Sequence, residues 1–328
     1  MRLPSPGAAR RHCTAQDTRR FVDILIQQII NGLVLGSIYA LVALGYTMVY
    51  GILGLINFAH GEVVMIGALS ALTAIGLLVP SGLPGPVVVL AGLLIAIPVC
   101  MAVGFTIERI AYRPLRNAPR LAPLITAIGV SIVLQQLAMM GWGRNYHTFP
   151  ALLPVTAHKI GGAAITDLQI IIVLTAALLM AALVWLVTRT RLGRAMRASA
   201  ENPAVARLMG VDVDRVISFT FVLGSGLAAV AGVMVAANYS IAHYAMGFML
   251  GLKAFTAAVL GGIGNLGGAM LGGLLLGIIE SLAAGYIGDL TGGFLGSHYK
   301  DVFAFFVLIL VLVFRPSGLM GEKVAERA

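Results

Sequence analysis

Charge is scarce in this chain. Only 11% of its 328 residues are Asp, Glu, Lys or Arg, against roughly 25% in an ordinary soluble domain. Hydrophobic residues make up 59%, and mean hydropathy is +0.96. A soluble fold of this length could not cover so much apolar surface, so lipid must be the solvent for most of it. Lysine is rarest among the charges. It occurs only at Lys159, Lys253, Lys300 and Lys323, and none of these follows a glycine. A P-loop requires Gly-Lys-Ser/Thr, so ATP binding by that device is excluded. A Gly-x-Ser-x-Gly elbow, a His-Glu-x-x-His pair and a paired-carboxylate arrangement are also missing. Hydrolytic or proton-transfer chemistry in a membrane needs several converging ionisable groups. The sequence has few, which argues against an enzyme.

Cysteine is equally sparse. Cys13 lies in a polar stretch and Cys100 in an apolar run, so no disulfide is expected. The six histidines show no metal-ligand spacing, and neither a metal site nor a cofactor is expected.

What is abundant is long apolar runs, glycine and arginine. Taking about 20 residues per crossing, the runs are 22–46, 62–79, 86–108, 121–141, 168–188, 215–238, 246–262, 268–287 and 302–314. The expected fold is all-α, a polytopic integral membrane protein with roughly eight to ten transmembrane helices, some of them broken. Residues 1–20 are polar and Arg-rich and read as a disordered basic extension. Residues 21–320 form the transmembrane domain, and 321–328 a cytoplasmic tail.

The net charge of +9 could suggest a nucleic-acid partner. The arginines instead cluster between apolar runs, as cytoplasmic loops do. Segment 109–120 holds Arg109, Arg113, Arg116 and Arg120, and segment 189–215 holds six arginines. Segments 142–167 and 288–301 are poor in basic residues and should face outward. Counted backwards, nine crossings put residue 1 outside. The arginines at 2, 10, 11, 19 and 20 argue for inside, which two crossings within 22–61 would reconcile.

The 40 glycines recur at small-xxx-small spacing, as in Gly32 with Gly36 and Gly268 with Gly272, which lets helices approach closely in lipid. Two Gly-rich breaks look alike, "GLINFAHGEVVMIGA" at 54–68 and "GIGNLGGAMLGGLL" at 262–275. Irregular backbone in a membrane is tolerated where it is buried or lines a cavity. Asn57 and Asn265, in these breaks, either line a passage or cap buried helix ends. The remaining polar candidates for a pathway are His60, Glu62, Lys253 and Glu280. Glu280 and Glu62 are the acidic candidates for a partner of Lys253, and Glu280 is the first choice because it falls at similar depth on the adjacent antiparallel run. Glu108 with Arg109 reads as an anchor at the membrane interface.

The longest polar interruption is 189–214, "RTRLGRAMRASAENPAVARLMGVDVD". Asn202 followed by Pro203 reads as an N-cap with proline at the first helical position. A helix over 203–209, including Ala204 and Ala206, should end at Gly210, suited to a left-handed C-cap. Such a helix is either a docking element for a cytosolic partner or part of a solvated basic loop.

Residues 21 to about 320 resemble the permease subunits of branched-chain amino-acid ABC transporters. The resemblance is carried by "NGLVLGSIYALVALGYTMVYGILGLINFAHGE" at 31–62, the 191–216 loop, "GLKAFTAAVLGGIGNLGGAMLGGLLLGIIE" at 251–280 and "YKDVFAFFVLILVLVFRPSGLMG" at 299–321. It covers over nine-tenths of the chain and is closest to the shorter of two paired permeases. It implies a multi-pass protein of the bacterial inner membrane that is not itself an enzyme. The implied partners are a second, different permease, two cytosolic ATPases and a periplasmic substrate-binding protein. The implied cargo is leucine, isoleucine or valine, with urea or short amides as the alternative within the family, and a stand-alone secondary transporter outside it. The resemblance assigns ATPase coupling to 189–214, with Asn202, Pro203, Ala204, Ala206 and Gly210. One departure is plain: the Glu-Ala-Ala…Gly signature of importer permeases has no Glu in register with Gly210. Glu201 lies outside that register.

Overall fold

The computed structural model describes residues 6–321 apart from 117, 120, 154, 155, 161, 292, 293, 295, 297 and 298, with side chains described from Val22 onward except 160, 289 and 290. Eleven α-helices appear in it. They are α1 (Pro6–Leu53), α2 (His60–Leu78), α3 (Gly85–Ile107), α4 (Leu121–Trp142), α5 (Asp167–Arg189), α6 (Arg191–Glu201), α7 (Pro203–Leu208), α8 (Val213–Tyr239), α9 (Met246–Gly261), α10 (Leu266–Leu290) and α11 (Lys300–Phe314). Four short strands pair as two small ladders. β1 (His147–Thr148) joins β4 (Ile241–Ala242), and β2 (Ala157–Ile160) joins β3 (Ala163–Thr166), both antiparallel.

Among the described residues, seven helices are long and apolar enough to cross a membrane, and α9 is a shorter apolar helix. Each apolar run read from the sequence became a helix. The option of two crossings within 22–61 is overturned, because α1 is continuous to Leu53. Gly45 and Gly51 do not break it. Gly45 lies against the His60 ring and Gly51 against Gly264, so both serve close packing. The break comes at Gly54, whose φ of +64° is a left-handed conformation suited to glycine. Helix α1 also reaches back to Pro6, into the stretch expected as an extension. Its Ala8, Ala9, Arg10 and Arg11 are good helix formers.

Close approach of backbones builds the core. Helix α10 runs antiparallel to α1. A Cβ placed on Gly32 would lie 2.6 Å from Ile278 Cα, and one on Gly36 2.7 Å from Leu274 Cα. Gly273 and Gly277 return the contact, against Ala40 and Gly36. Gly268 and Gly272 do the same for α10 on α9, and Gly61 for α2 on α9. Dispersion and lipid entropy, rather than a hydrophobic drive, favour such contacts in a bilayer.

The outer end of α1 is fixed by the β2–β3 hairpin. Gln27 donates to Ala164 O at 3.0 Å and accepts from Ala164 N at 2.8 Å. The start of the α1 span therefore lies at the same end as segment 142–167, opposite the Arg-rich loops. This agrees with the nine-crossing parity, and the two Gly-rich breaks meet at the Arg-rich end.

Candidate translocation and coupling sites

Three polar groups interrupt the apolar body, one near each end and one between. The first is at the Arg-poor end. Lys253 lies about 10 Å along α9 from Met246. Its Nζ is 2.8 Å from Glu280 Oε1 and 2.7 Å from Asp301 Oδ1. Lys300 approaches the same Glu280 oxygen at 3.1 Å. The Tyr39 hydroxyl donates to Glu280 Oε2 at 2.8 Å, and its ring lies 5.9 Å below Lys253 Nζ. Glu280 is 1% exposed, and two ammonium groups plus a hydroxyl offset its desolvation. The expected Lys253–Glu280 contact is thus present. Lys300 and Asp301 complete it, on the first turn of α11, at the close of the segment expected to face outward.

Beside this cluster opens a cavity of ≈ 460 Å³, lined by Leu35, Ile38 and Tyr39 of α1, Val235 and Tyr239 of α8, and Met246, Met249, Leu250 and Lys253 of α9. Its rim carries Tyr146 and His243, stacked at 4.2 Å between ring centroids. The volume falls in the range of small-molecule sites, and apolar walls with few polar groups are their usual composition.

The second group lies deeper. Glu62, in the first turn of α2, accepts from Ser131 Oγ of α4 at 3.1 Å. His60 sits edge-on to Tyr46 at 5.0 Å. Among the described residues, Glu62 Oε2 and His60 Nε2 have no hydrogen-bond partner. Both residues are buried inside the chain and do not reach the cavity.

The two asparagines are tied into the fold. Asn57 is 3% exposed and accepts from the Tyr112 hydroxyl at 3.2 Å. Asn265 accepts from Gly268 N at 3.0 Å, which caps α10, and donates to Met320 O at 3.0 Å. The capping alternative describes Asn265.

The third group is at the Arg-rich end and had a different sequence reading. Glu108 does not pair with Arg109. It is fully buried, bonded to Arg116 and to Ser218 Oγ at 2.7 Å. Arg116 also meets Asp214 at 2.5 Å, and Arg113 meets Asp214 at 3.2 Å. Arg207 of α7 reaches Asp214 at 3.7 Å. The reason is local. A π-helical turn over Glu108–Tyr112 and a tight turn at Arg113–Leu115 swing Arg116 back over α3. The spacing Arg113-Arg116 was visible in the sequence, but the carboxylate both arginines share, Asp214, is 98 residues from Arg116.

Helix α7 forms as its flanks dictate. Asn202 Oδ1 accepts from Ala204 N at 3.0 Å and Val205 N at 3.2 Å, and Pro203 opens the helix. Gly210 takes φ +81° and donates to Arg207 O at 3.0 Å, while Val211 N reaches Ala206 O at 3.0 Å. Ala206 is buried and Ala204 exposed. Glu201, also exposed, makes no ion pair among the described residues. Thr190 caps α6, accepting from Gly193 N at 3.0 Å. Outward from this polar frame point Val205, Leu208 and Met209, at 51%, 86% and 79% exposure. Sequence reasoning placed the helix but not this apolar face.

Comparison with known proteins agrees with this architecture. Residues 28–312 match the family described as branched-chain amino acid transport system / permease component. BraD of Pseudomonas aeruginosa, a high-affinity branched-chain amino acid transport system permease protein, is 48% identical over 92% of this chain and 97% of its own length. LivH of Escherichia coli K12, of the same description, is 47% identical with the same coverage. A probable branched-chain amino acid transport permease of Methanocaldococcus jannaschii is 30% identical over 91% of this chain and 94% of its own. Matched across its transmembrane body and aligned nearly end to end with these permeases, the chain belongs to the branched-chain amino-acid transport permease family.

Proposed function

We propose that this chain is one of two permeases in an ABC importer that carries branched-chain amino acids across the bacterial inner membrane. Two cytosolic ATPases drive it, and a periplasmic substrate-binding protein delivers leucine, isoleucine or valine. The observation that carries the reading is the α6–α7 face. A capped short helix at the Arg-rich end exposes Val205, Leu208 and Met209 beside basic residues. Contiguous apolar exposure rimmed by polar groups marks a protein contact, and cytosolic ATPases would meet this face. The chain lacks a Gly-Lys-Ser/Thr motif of its own, which supports ATP hydrolysis on a separate subunit.

At the other end, the cavity with Lys253 at its margin faces the side from which a binding protein would deliver cargo. Lys253 and Glu280 then belong to the entrance of the pathway. His60, Glu62 and Asn57 lie deeper and support the helices that frame it. The test is uptake of labelled leucine, valine and urea into vesicles holding the permeases, the ATPases and the binding protein. ATP-dependent accumulation of leucine and valine but not urea is expected. Accumulation of urea alone, or leucine uptake that needs no ATPase, would overturn the reading.

A further inference from the structure

Lys253 has more donors than its carboxylate partners consume. An ammonium carries three N–H groups. One is donated to Glu280 at 2.8 Å. Asp301 Oδ1 is an ion-pair partner 2.7 Å from Nζ that makes no hydrogen bond among the described residues and engages at most a second. The third is left, and Lys253 is part of the cavity wall with its side chain 14% exposed. The cluster holds two ammonium groups, Lys253 and Lys300, and two carboxylates, Glu280 and Asp301. Its formal charge sums to zero. A lone anion or cation brought beside it would leave a net charge in a poorly hydrated place, which is costly. A zwitterion would not. Opposite the charges the walls are aliphatic and thioether side chains, Leu35, Ile38, Met246, Met249 and Leu250. Methionine and leucine walls accept branched hydrocarbon without demanding hydrogen bonds.

We propose that this cavity is a substrate subsite of the permease itself, selective for a zwitterionic α-amino acid with an aliphatic side chain. The α-carboxylate takes the remaining N–H of Lys253. The α-ammonium lies toward the carboxylates of the cluster, and the side chain packs on the Met249–Leu250 wall. The inference rests on the transport reading above and adds that selection occurs in this chain as well as in a delivering protein. Urea and short amides lack the carboxylate and would gain little from Lys253.

The test uses a diazirine-bearing leucine analogue on the assembled complex in nanodiscs, with the labelled peptides mapped by mass spectrometry. Label is expected on 35–39 or 246–250. Excess leucine should displace it. Leucinamide, which has no carboxylate, should be weaker by roughly tenfold or more, the loss expected for one charge-assisted hydrogen bond. Met249→Trp fills the cavity from a wall residue that is 45% exposed, so the core is not disturbed. It should cut both labelling and leucine uptake while the ATPases still co-purify. Label only outside the cavity, equal displacement by leucinamide, or unchanged labelling and uptake in Met249→Trp would each overturn the subsite. A wild-type complex that carries no leucine at all would instead overturn the transport reading. Normal leucine transport with label elsewhere removes the subsite alone.

Discussion

Helices α5 and α8 are both apolar and long enough to span a bilayer, yet they meet different surroundings. In α8, 78% of the most apolar stretch is buried inside the chain, and in α5 only 28%. Hydropathy points the wrong way: it is 2.9 in α5 and 2.0 in α8. Glycine separates them. Helix α5 has none, while α8 has Gly224, Gly226 and Gly232, with Gly232 packed against the α2 backbone at Val64. Inside a bilayer, apolarity says only that a helix is in lipid or protein, and glycines that meet another backbone mark the buried one. Helix α4 shows that glycine without a facing backbone is not enough. Its Gly129 and Gly141 have open space around them, and only 22% of its apolar stretch is buried.

The sharpest way to break this comparison is to overfill the core. Gly36→Leu forces a side chain into the α10 backbone at Leu274, where no rotamer can yield. The expected loss exceeds about 5 kcal/mol, among the largest single-site effects, and reads out as missing monodisperse protein after detergent extraction. A folded, normally melting Gly36→Leu would show that the α1–α10 contact is loose. Next comes the buried charge at the Arg-rich end. Glu108→Ala leaves Arg116 with the half-exposed Asp214 alone and takes the acceptor from Ser218, and should cost near the low end of about 3–5 kcal/mol, seen as a lowered Tm. Glu108→Gln, which keeps a polar partner for Ser218, should cost less.

Lys253→Ala should fall below that range, because Glu280 keeps Lys300 and Tyr39. Adding Glu280→Ala should recover much of the loss. Melting temperatures of both single variants and the double make the cycle. A double variant as unstable as the sum of the singles would show that the two residues are not coupled. At the small end, Leu178→Ala on the outer face of α5, where Leu178 is 69% exposed, should change stability by at most about 0.5 kcal/mol. A large effect there would place α5 in an interface rather than against lipid.

How much of this was legible follows from the range of each interaction. The helices were legible because apolar runs of spanning length are local patterns. So was α7, since Asn202, Pro203 and Gly210 act within a few residues of one another. The Lys253–Glu280 pair was legible because a lone ammonium in a span needs a partner, and few carboxylates were at hand. The Glu108 cluster was not, since Asp214 and Ser218 come from a helix about a hundred residues on. The π-helical turn that redirects Arg116 leaves no mark in hydropathy. The cavity is a gap among three helices, and only packing reveals it. Asn265 carried two readings that the sequence weighed without deciding, and its hydrogen bonds to Gly268 and Met320 favour the cap.

The claim that this chain is driven by separate ATPases seated on α7 can be tested at one exposed residue. Leu208 is 86% exposed and supports no packing within the chain, so Leu208→Asp should leave the permease folded and its Tm unchanged. The measurement is ATP-driven leucine accumulation by the reconstituted complex, with ATPase recovery on the purified permease recorded in the same preparation. The account predicts that both fall together, because a charge placed in an apolar docking contact is costly. ATPases recovered in full, with leucine accumulating at the wild-type rate, would contradict it.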